Sequence, residues 1–145
     1  MIRIIDYGVG NIEAFIAIFK SLGFLAARAS SAEYLHDAAK LILPGVGAFD
    51  HAMSKLNDSG MRETLDYMVI EKKVPVLGVC VGMQMLTSNS EEGNLPGLNW
   101  IPGHVRHFDN KNQNSIKMPL PHMGWNDVSP NENHPLFKDL EREAI

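Results

Sequence analysis

VPVLGVCVGMQML, residues 74–86, opens as an apolar, β-branched run and closes as a helix-like segment, and the change falls on Cys80, the one cysteine among 145 residues. A lone cysteine ordinarily packs as a small hydrophobe. Its neighbours Gly78 and Gly82 point elsewhere. A residue held on a sharp strand-to-helix turn is displayed above its sheet, and only small flanking residues allow so tight a bend. G-x-C-x-G therefore reproduces the spacing of the G-x-S-x-G nucleophile elbow. A thiol at the start of a helix also meets the positive end of the peptide dipoles, which favours the attacking thiolate. The stretch predicts a strand over 74–79, a tight bend and a nucleophile at Cys80.

The preceding chain supplies the rest of a sheet. IRII at 2–5 reads as a buried strand running into the turn DYGVGN at 6–11. Asn11 is a good helix N-cap, Glu13 puts negative charge in the first turn, and Ile12, Phe15, Ile16, Phe19 and Leu22 recur at helical spacing until Gly23 stops them. LAARA at 25–29 admits a second strand. KLILP at 40–44 is a stronger one, with Pro44 expected to end its ladder. Met61, Leu65, Met68 and Val69 mark a further amphipathic helix, starting near Asp58 or Ser59 and closed by Lys72 and Lys73. Past residue 90 the pattern weakens: EEGNLPGLNW at 91–100 is turn-rich, IPGHVRHF at 101–108 admits a strand, and DNKNQNSIK at 109–117 reads as a polar loop. Alternating strands and helices predict an α/β fold, a mostly parallel sheet with helices on both faces, whose sites form beyond the carboxyl ends of the strands.

The totals agree with one such domain. A length of 145, 45% hydrophobic and 21% charged residues and no low-complexity tract suit a single folded core. Thirteen Lys and Arg against seventeen Asp and Glu leave a net charge of -4 with no basic cluster, which argues against nucleic acid or an anionic membrane as partner. The opening MIRIIDYGVG lacks the apolar stretch of a signal peptide or membrane span, and one cysteine forms no internal disulfide. Both features predict a cytoplasmic protein.

Three glycine-bearing turns fall at the same sheet edge. DYGVGN lacks the third glycine of a dinucleotide fingerprint, since Glu13 stands there, and a plain tight turn accounts for it equally well. PGVG at 44–47 either merely ends a strand or turns backbone amides toward an oxyanion, Gly45 and Gly47 permitting the φ values needed. GVCVG holds the thiol.

In this order and spacing, IIDYGVGNI (4–12), LPGVGAF (43–49), GVCVGMQML (78–86), SEEG (90–93) and PHMGWN (121–126) resemble the class I glutamine amidotransferases. PHMGWN with DYGVGN narrows the resemblance to the glutamine amidotransferase subunit of imidazole glycerol phosphate synthase. The resemblance implies a flavodoxin-like fold without cofactor or metal, in which Cys80 attacks the side-chain amide of L-glutamine, ammonia leaves and water frees glutamate from a thioester. It further implies a heterodimer with a cyclase (β/α)8 barrel that builds an imidazole ring for histidine. By motif position, Gly47 and Val81 would line the oxyanion site, and Gly45, Gly47, Gln84 and Glu92 would hold glutamine. Asn11 and Met123, Gly124, Trp125 and Asn126 would face the barrel.

The family's histidine and the glutamate two residues beyond it belong to a downstream H-x-E segment that these 145 residues lack. The expectation is an incomplete domain over 1–145, its C-terminal part and general base missing, nearly inactive alone and prone to self-association through an exposed sheet edge. His36, His51 and His134 read as surface residues, and His104 and His107 lack the cysteine or carboxylate partners of a metal site. His122 falls in the interface motif, and Trp125 has, beside its interface reading, a plain one as a core or surface aromatic. Two other functions stay open: an ammonia donor for a surface-polysaccharide sugar amidotransferase, and a non-catalytic binding module on the same fold.

Overall fold

The computed structural model describes residues 1–107, 123–125 and 127. Residues 1–107 form one compact unit and 108–145 a second. The first unit is built on strands β1 (Ile2–Ile5), β2 (Ala26–Ala29), β3 (Lys40–Gly45) and β4 (Val76–Cys80), joined in the order β2-β1-β3-β4 with every pair parallel. Strand order reverses between β1 and β3. That is the switch point at which open α/β sheets form their crevices.

Alternation along the strands divides the core in two. Ile4 and Ile42 face helix α1 (Ile12–Ser21) and pack with Ile12, Phe15, Ile16 and Phe19. Ile5, Leu41 and Leu43 face the opposite side, with α2 (Phe49–Asp58), α3 (Arg62–Asp66) and α4 (Val81–Met85). Helices thus cover both faces.

Local chemistry explains most of the element ends. Asn11 caps α1, its side-chain oxygen accepting from the Ala14 N–H at 3.1 Å, and Gly23 at φ +78° donates its N–H to Lys20 O beyond the last turn. Leu22, expected on the buried stripe, is 62% exposed, because it sits at the cap where the helix leaves the sheet.

Helix α2 is not among the helices expected from the sequence. Phe49, Ala52, Met53 and Leu56 repeat at helical spacing and are all buried. Burying the three large side chains is worth roughly 5–9 kcal/mol, an upper figure, against about 1 kcal/mol lost because Ala48 offers no side-chain cap. Packing decides.

Two boundaries are corrected. Pro44 does not end β3, which runs to Gly45 with Pro44 opposite Val79. The β1 ladder stops at Ile42, so at Pro44 the strand has a partner on one side only and its missing N–H costs no bond. The helix expected from Asp58 or Ser59 starts at Arg62. Asp58 is the last residue of α2, and Ser59 closes that helix, its hydroxyl donating to Leu56 O at 2.6 Å before Gly60 turns the chain at φ +74°. Beyond α3 the coil widens to a π-turn over Tyr67–Glu71 and ends at Lys72, with Lys73 at φ +56°. Finally, β5 (Asn89–Ser90) and β6 (His104–Val105) form a small parallel pair. Among the described residues no helix is long and apolar enough to cross a membrane.

Candidate active site

Cys80 is the last residue of β4, and α4 begins at the next. Its backbone lies at φ +57°, ψ -122°, a region L-residues rarely occupy and one that costs on the order of 1–3 kcal/mol. Close backbone packing imposes it. A Cβ on Gly78 would lie 2.6 Å from both Gly82 O and Met83 Cα, one on Gly82 2.9 Å from the Leu43 carbonyl carbon, and one on Gly45 2.8 Å from the Val81 carbonyl carbon. The first turn of α4 therefore rests directly on the ends of β3 and β4, which only glycine at all three positions permits. The bend lifts the Cys80 side chain into solvent, and no imidazole among the described residues is hydrogen-bonded to it.

The 44–47 loop lies alongside. Gly45 is the register partner of Cys80 across the β3–β4 ladder. Gly47, exposed, turns at φ +82°, whereas Gly45 has no positive φ: it is glycine for close approach and not for rotation. Val81 is buried beneath the bend, and Val46 is 59% exposed. Tyr7 holds this edge together. Its hydroxyl, buried, donates to Pro44 O at 2.6 Å and lies 3.5 Å from Met85 Sδ, so it ties the first turn to the 44–47 loop and to α4. Burial pushes the phenol's pKa well above its ordinary value, keeping the donor proton in place.

One turn along α4, Gln84 Nε2 donates to Glu92 Oε2 at 3.1 Å, so the structure brings these two predicted residues together. Two further residues, missed by the sequence reading, shape this pair. Ser90, a buried polar side chain, lies with Oγ 3.4 Å from Gln84 Oε1 and accepts the Glu92 N–H at 3.2 Å. Asp50, near the start of α2, accepts the Asn94 and Leu95 N–H groups at 2.9 Å each on Oδ1, with Asn94 also 3.0 Å from Oδ2. These backbone donors hold the Asp50 carboxyl below its ordinary range. Ser90 stands within SEEG and was open to notice as a short hydroxyl before two acids. Asp50 carries no local signal, because its partners lie 44 and 45 residues away.

The first turn opens into a groove of about 560 Å³ between Asp6, Gly8, Gly10, Asn11, Ile12, Glu13, Arg28 and Val46. Arg28 spans it, 3.1 Å from Asp6 and 2.6 Å from Glu13. Asn11 is exposed at its edge while serving as the α1 cap. The groove shares Val46 with the 44–47 loop, so the two expected surfaces, partner-facing and glutamine-facing, are adjacent at the switch point. Met123 and Trp125 are exposed, Trp125 fully, and Gly124 adopts φ +149°; Asn126, His122 and His134 lie outside the described residues. His36 and His51 are exposed. His104 Nδ1 pairs with Asn89 Oδ1 at 2.7 Å, and the His107 ring with Glu91 O at 3.1 Å. Among the described residues no group of three or more His, Cys, Asp or Glu is arranged to hold a metal ion.

Comparison with known proteins matches residues 3–145 to the family "Glutamine amidotransferase class-I". The chain is 57% identical over 145 residues to the "Imidazole glycerol phosphate synthase subunit HisH" of Bdellovibrio bacteriovorus, covering 99% of this chain and 70% of that protein. It is 46% identical over 142 residues to the protein of the same name from Leptospira borgpetersenii, with 98% and 69% covered. Subunit HisH 2 of Pseudomonas aeruginosa is 44% identical over 144 residues, with 99% and 69% covered. Among solved structures, a "Crystal structure of glutamine amidotransferase" superposes with a TM-score of 0.63 at 21% identity; the match covers 72% of this chain and 55% of that one, and it bears on the fold alone. An α/β unit with an elbow cysteine, matched by this family over nearly its whole length, leads to one assignment: the chain belongs to the class-I glutamine amidotransferases, in the branch of the HisH subunits.

Proposed function

We propose that this protein is the glutaminase subunit of an imidazole glycerol phosphate synthase, hydrolysing L-glutamine at Cys80 and passing the ammonia to a cyclase barrel in histidine biosynthesis, in the cytoplasm. The observation that carries the reading is the strained, solvent-facing Cys80 with the Gly45–Gly47 loop in register beside it. The Cys80 thiolate attacks the side-chain carbonyl carbon of glutamine, and the carbonyl electron pair moves onto oxygen. The amides of Gly47 and Val81 receive that oxyanion. Its collapse breaks the C–N bond, nitrogen leaves as ammonia after taking up a proton, and a thioester remains. Water then adds to the thioester carbon and sulfur departs, releasing glutamate. The net change is glutamine and water to glutamate and ammonia. In the family the proton carrier belongs to the H-x-E segment.

Gln84 and Glu92 bind the amino-acid end of the substrate, the Glu92 carboxylate being suited to an α-ammonium. Asn11 meets the barrel at the groove that shares Val46 with the 44–47 loop, and the family motif separately assigns Met123, Gly124, Trp125 and Asn126 to the same partner. Because the family's proton carrier lies in the H-x-E segment, the proposal is tested on the protein joined to such a segment, by assaying imidazole formation with a cyclase barrel and either glutamine or an ammonium salt. Cys80→Ala is expected to abolish the glutamine-dependent reaction and to leave the ammonium-dependent one. Equal glutamine-dependent rates for Cys80→Ala and the unaltered protein would overturn the proposal.

A further inference from the structure

Glu92 is an exposed side chain on a turn, and an exposed glutamate ordinarily samples many rotamers. Its backbone here is held on both sides. On one side Ser90 takes the Glu92 N–H with its hydroxyl and the Gly93 N–H with its carbonyl, both at 3.2 Å. On the other, Asp50 takes the Asn94 and Leu95 N–H groups. Between them, Gly93 lies so close to α2 that a Cβ would collide with Asp50 Oδ1 and come within 2.7 Å of Phe49 Cδ1. Asp50 stands on a helix whose Phe49, Ala52, Met53 and Leu56 are buried, so it is a fixed post, and the turn is moored to it.

We infer that Asp50 is a positioning residue: through the Asn94 and Leu95 amides it holds the 90–95 turn so that Glu92 meets Gln84 in the geometry that receives the amino-acid end of glutamine. The inference rests on the glutamine-binding reading of Gln84 and Glu92 given above. The lowered pKa of the Asp50 carboxyl accords with it, since the Leu95 and Asn94 amides favour its charged, accepting form. Pre-ordering acts on the affinity for ligand, because disorder that must be removed on binding lowers affinity. It does not act on the thiol, which belongs to the β4–α4 bend. A merely structural role would affect both.

The test is alkylation of Cys80 on the full chain by a diazo-ketone analogue of glutamine, with saturation and maximal rate measured separately, beside alkylation by iodoacetamide, which needs no amino-acid site. Asp50→Asn keeps the shape of the side chain but removes its charge and, with its oxygen in the place of Oδ1, sets an N–H₂ against the Asn94 N–H. It is expected to raise the half-saturating concentration of the analogue about tenfold, the worth of one lost charge-assisted bond, with the maximal and iodoacetamide rates unchanged. Gly93→Ala, which displaces the Asp50 carboxylate from the other side, is expected to give the same signature. An unchanged half-saturation in both variants overturns the inference and leaves the glutamine reading standing, as does a parallel fall in the iodoacetamide rate. Absence of saturable labelling in the unaltered protein overturns both.

Discussion

Replacing Cys80 by glycine is expected to leave the protein more stable than replacing it by alanine, against the usual order of these residues. Cys80 is exposed, so neither change loses much burial and the comparison isolates the backbone. Alanine keeps a Cβ at φ +57°, ψ -122° and with it a strain of about 1–3 kcal/mol. Glycine removes that strain and gives back about 0.4–1 kcal/mol through the greater freedom of its unfolded chain. At mid-range the difference favours glycine by roughly 1.3 kcal/mol, or about 5 °C in melting temperature for a unit of this size. Paired urea and thermal unfolding of the two variants measures it. With an alanine variant as stable as the glycine variant, or more so, the bend would carry no stored strain, and the display of sulfur would not be a constraint imposed by β3, β4 and α4.

Gly82→Ala drives a Cβ into the Leu43 carbonyl, which is backbone and cannot step aside; a loss of about 1–3 kcal/mol or more is expected, read as a lower urea midpoint together with slower alkylation of Cys80. Tyr7→Phe keeps the ring but strands the buried Pro44 carbonyl, for about 1–3 kcal/mol in urea unfolding; a neutral result would mean that another donor reaches that oxygen. Arg3, bonded to Asp37 at 2.8 and 2.9 Å, holds the Asp37 carboxyl below its ordinary value of 3.8. A carboxyl lowered on folding contributes stability that is complete above its unfolded pKa and lost as pH falls through the folded one. The urea midpoint of the unaltered protein is therefore expected to fall more steeply than that of Asp37→Asn as the pH drops below about 4, and parallel profiles would remove Asp37 from the account.

The parts legible in the sequence were those whose cause is local. β1, β3 and β4 announce themselves as short apolar runs, and α1 by a capping Asn11 and a stopping Gly23, because propensity and capping act within a few residues. The elbow was legible because its steric demand writes glycines two residues to either side of Cys80. What escaped depends on distant partners. Pro44 continues a ladder because β1 ends short of it, which no reading of KLILP can reveal. Asp50 and Tyr7 act on groups 44 and 37 residues away. Helix α2 had its periodicity in plain view at Phe49, Ala52, Met53 and Leu56, but with Ala48 before it no capping residue marks its start.

A nucleophilic Cys80 standing beside a glutamine site reacts selectively with a glutamine-like electrophile. Peptide mapping after treatment with the diazo-ketone analogue, with and without competing L-glutamine, tests it most directly. One adduct on Cys80, slowed by L-glutamine and not by D-glutamine, is the predicted result. Labelling that L-glutamine does not slow, or that falls on residues other than Cys80, would contradict it.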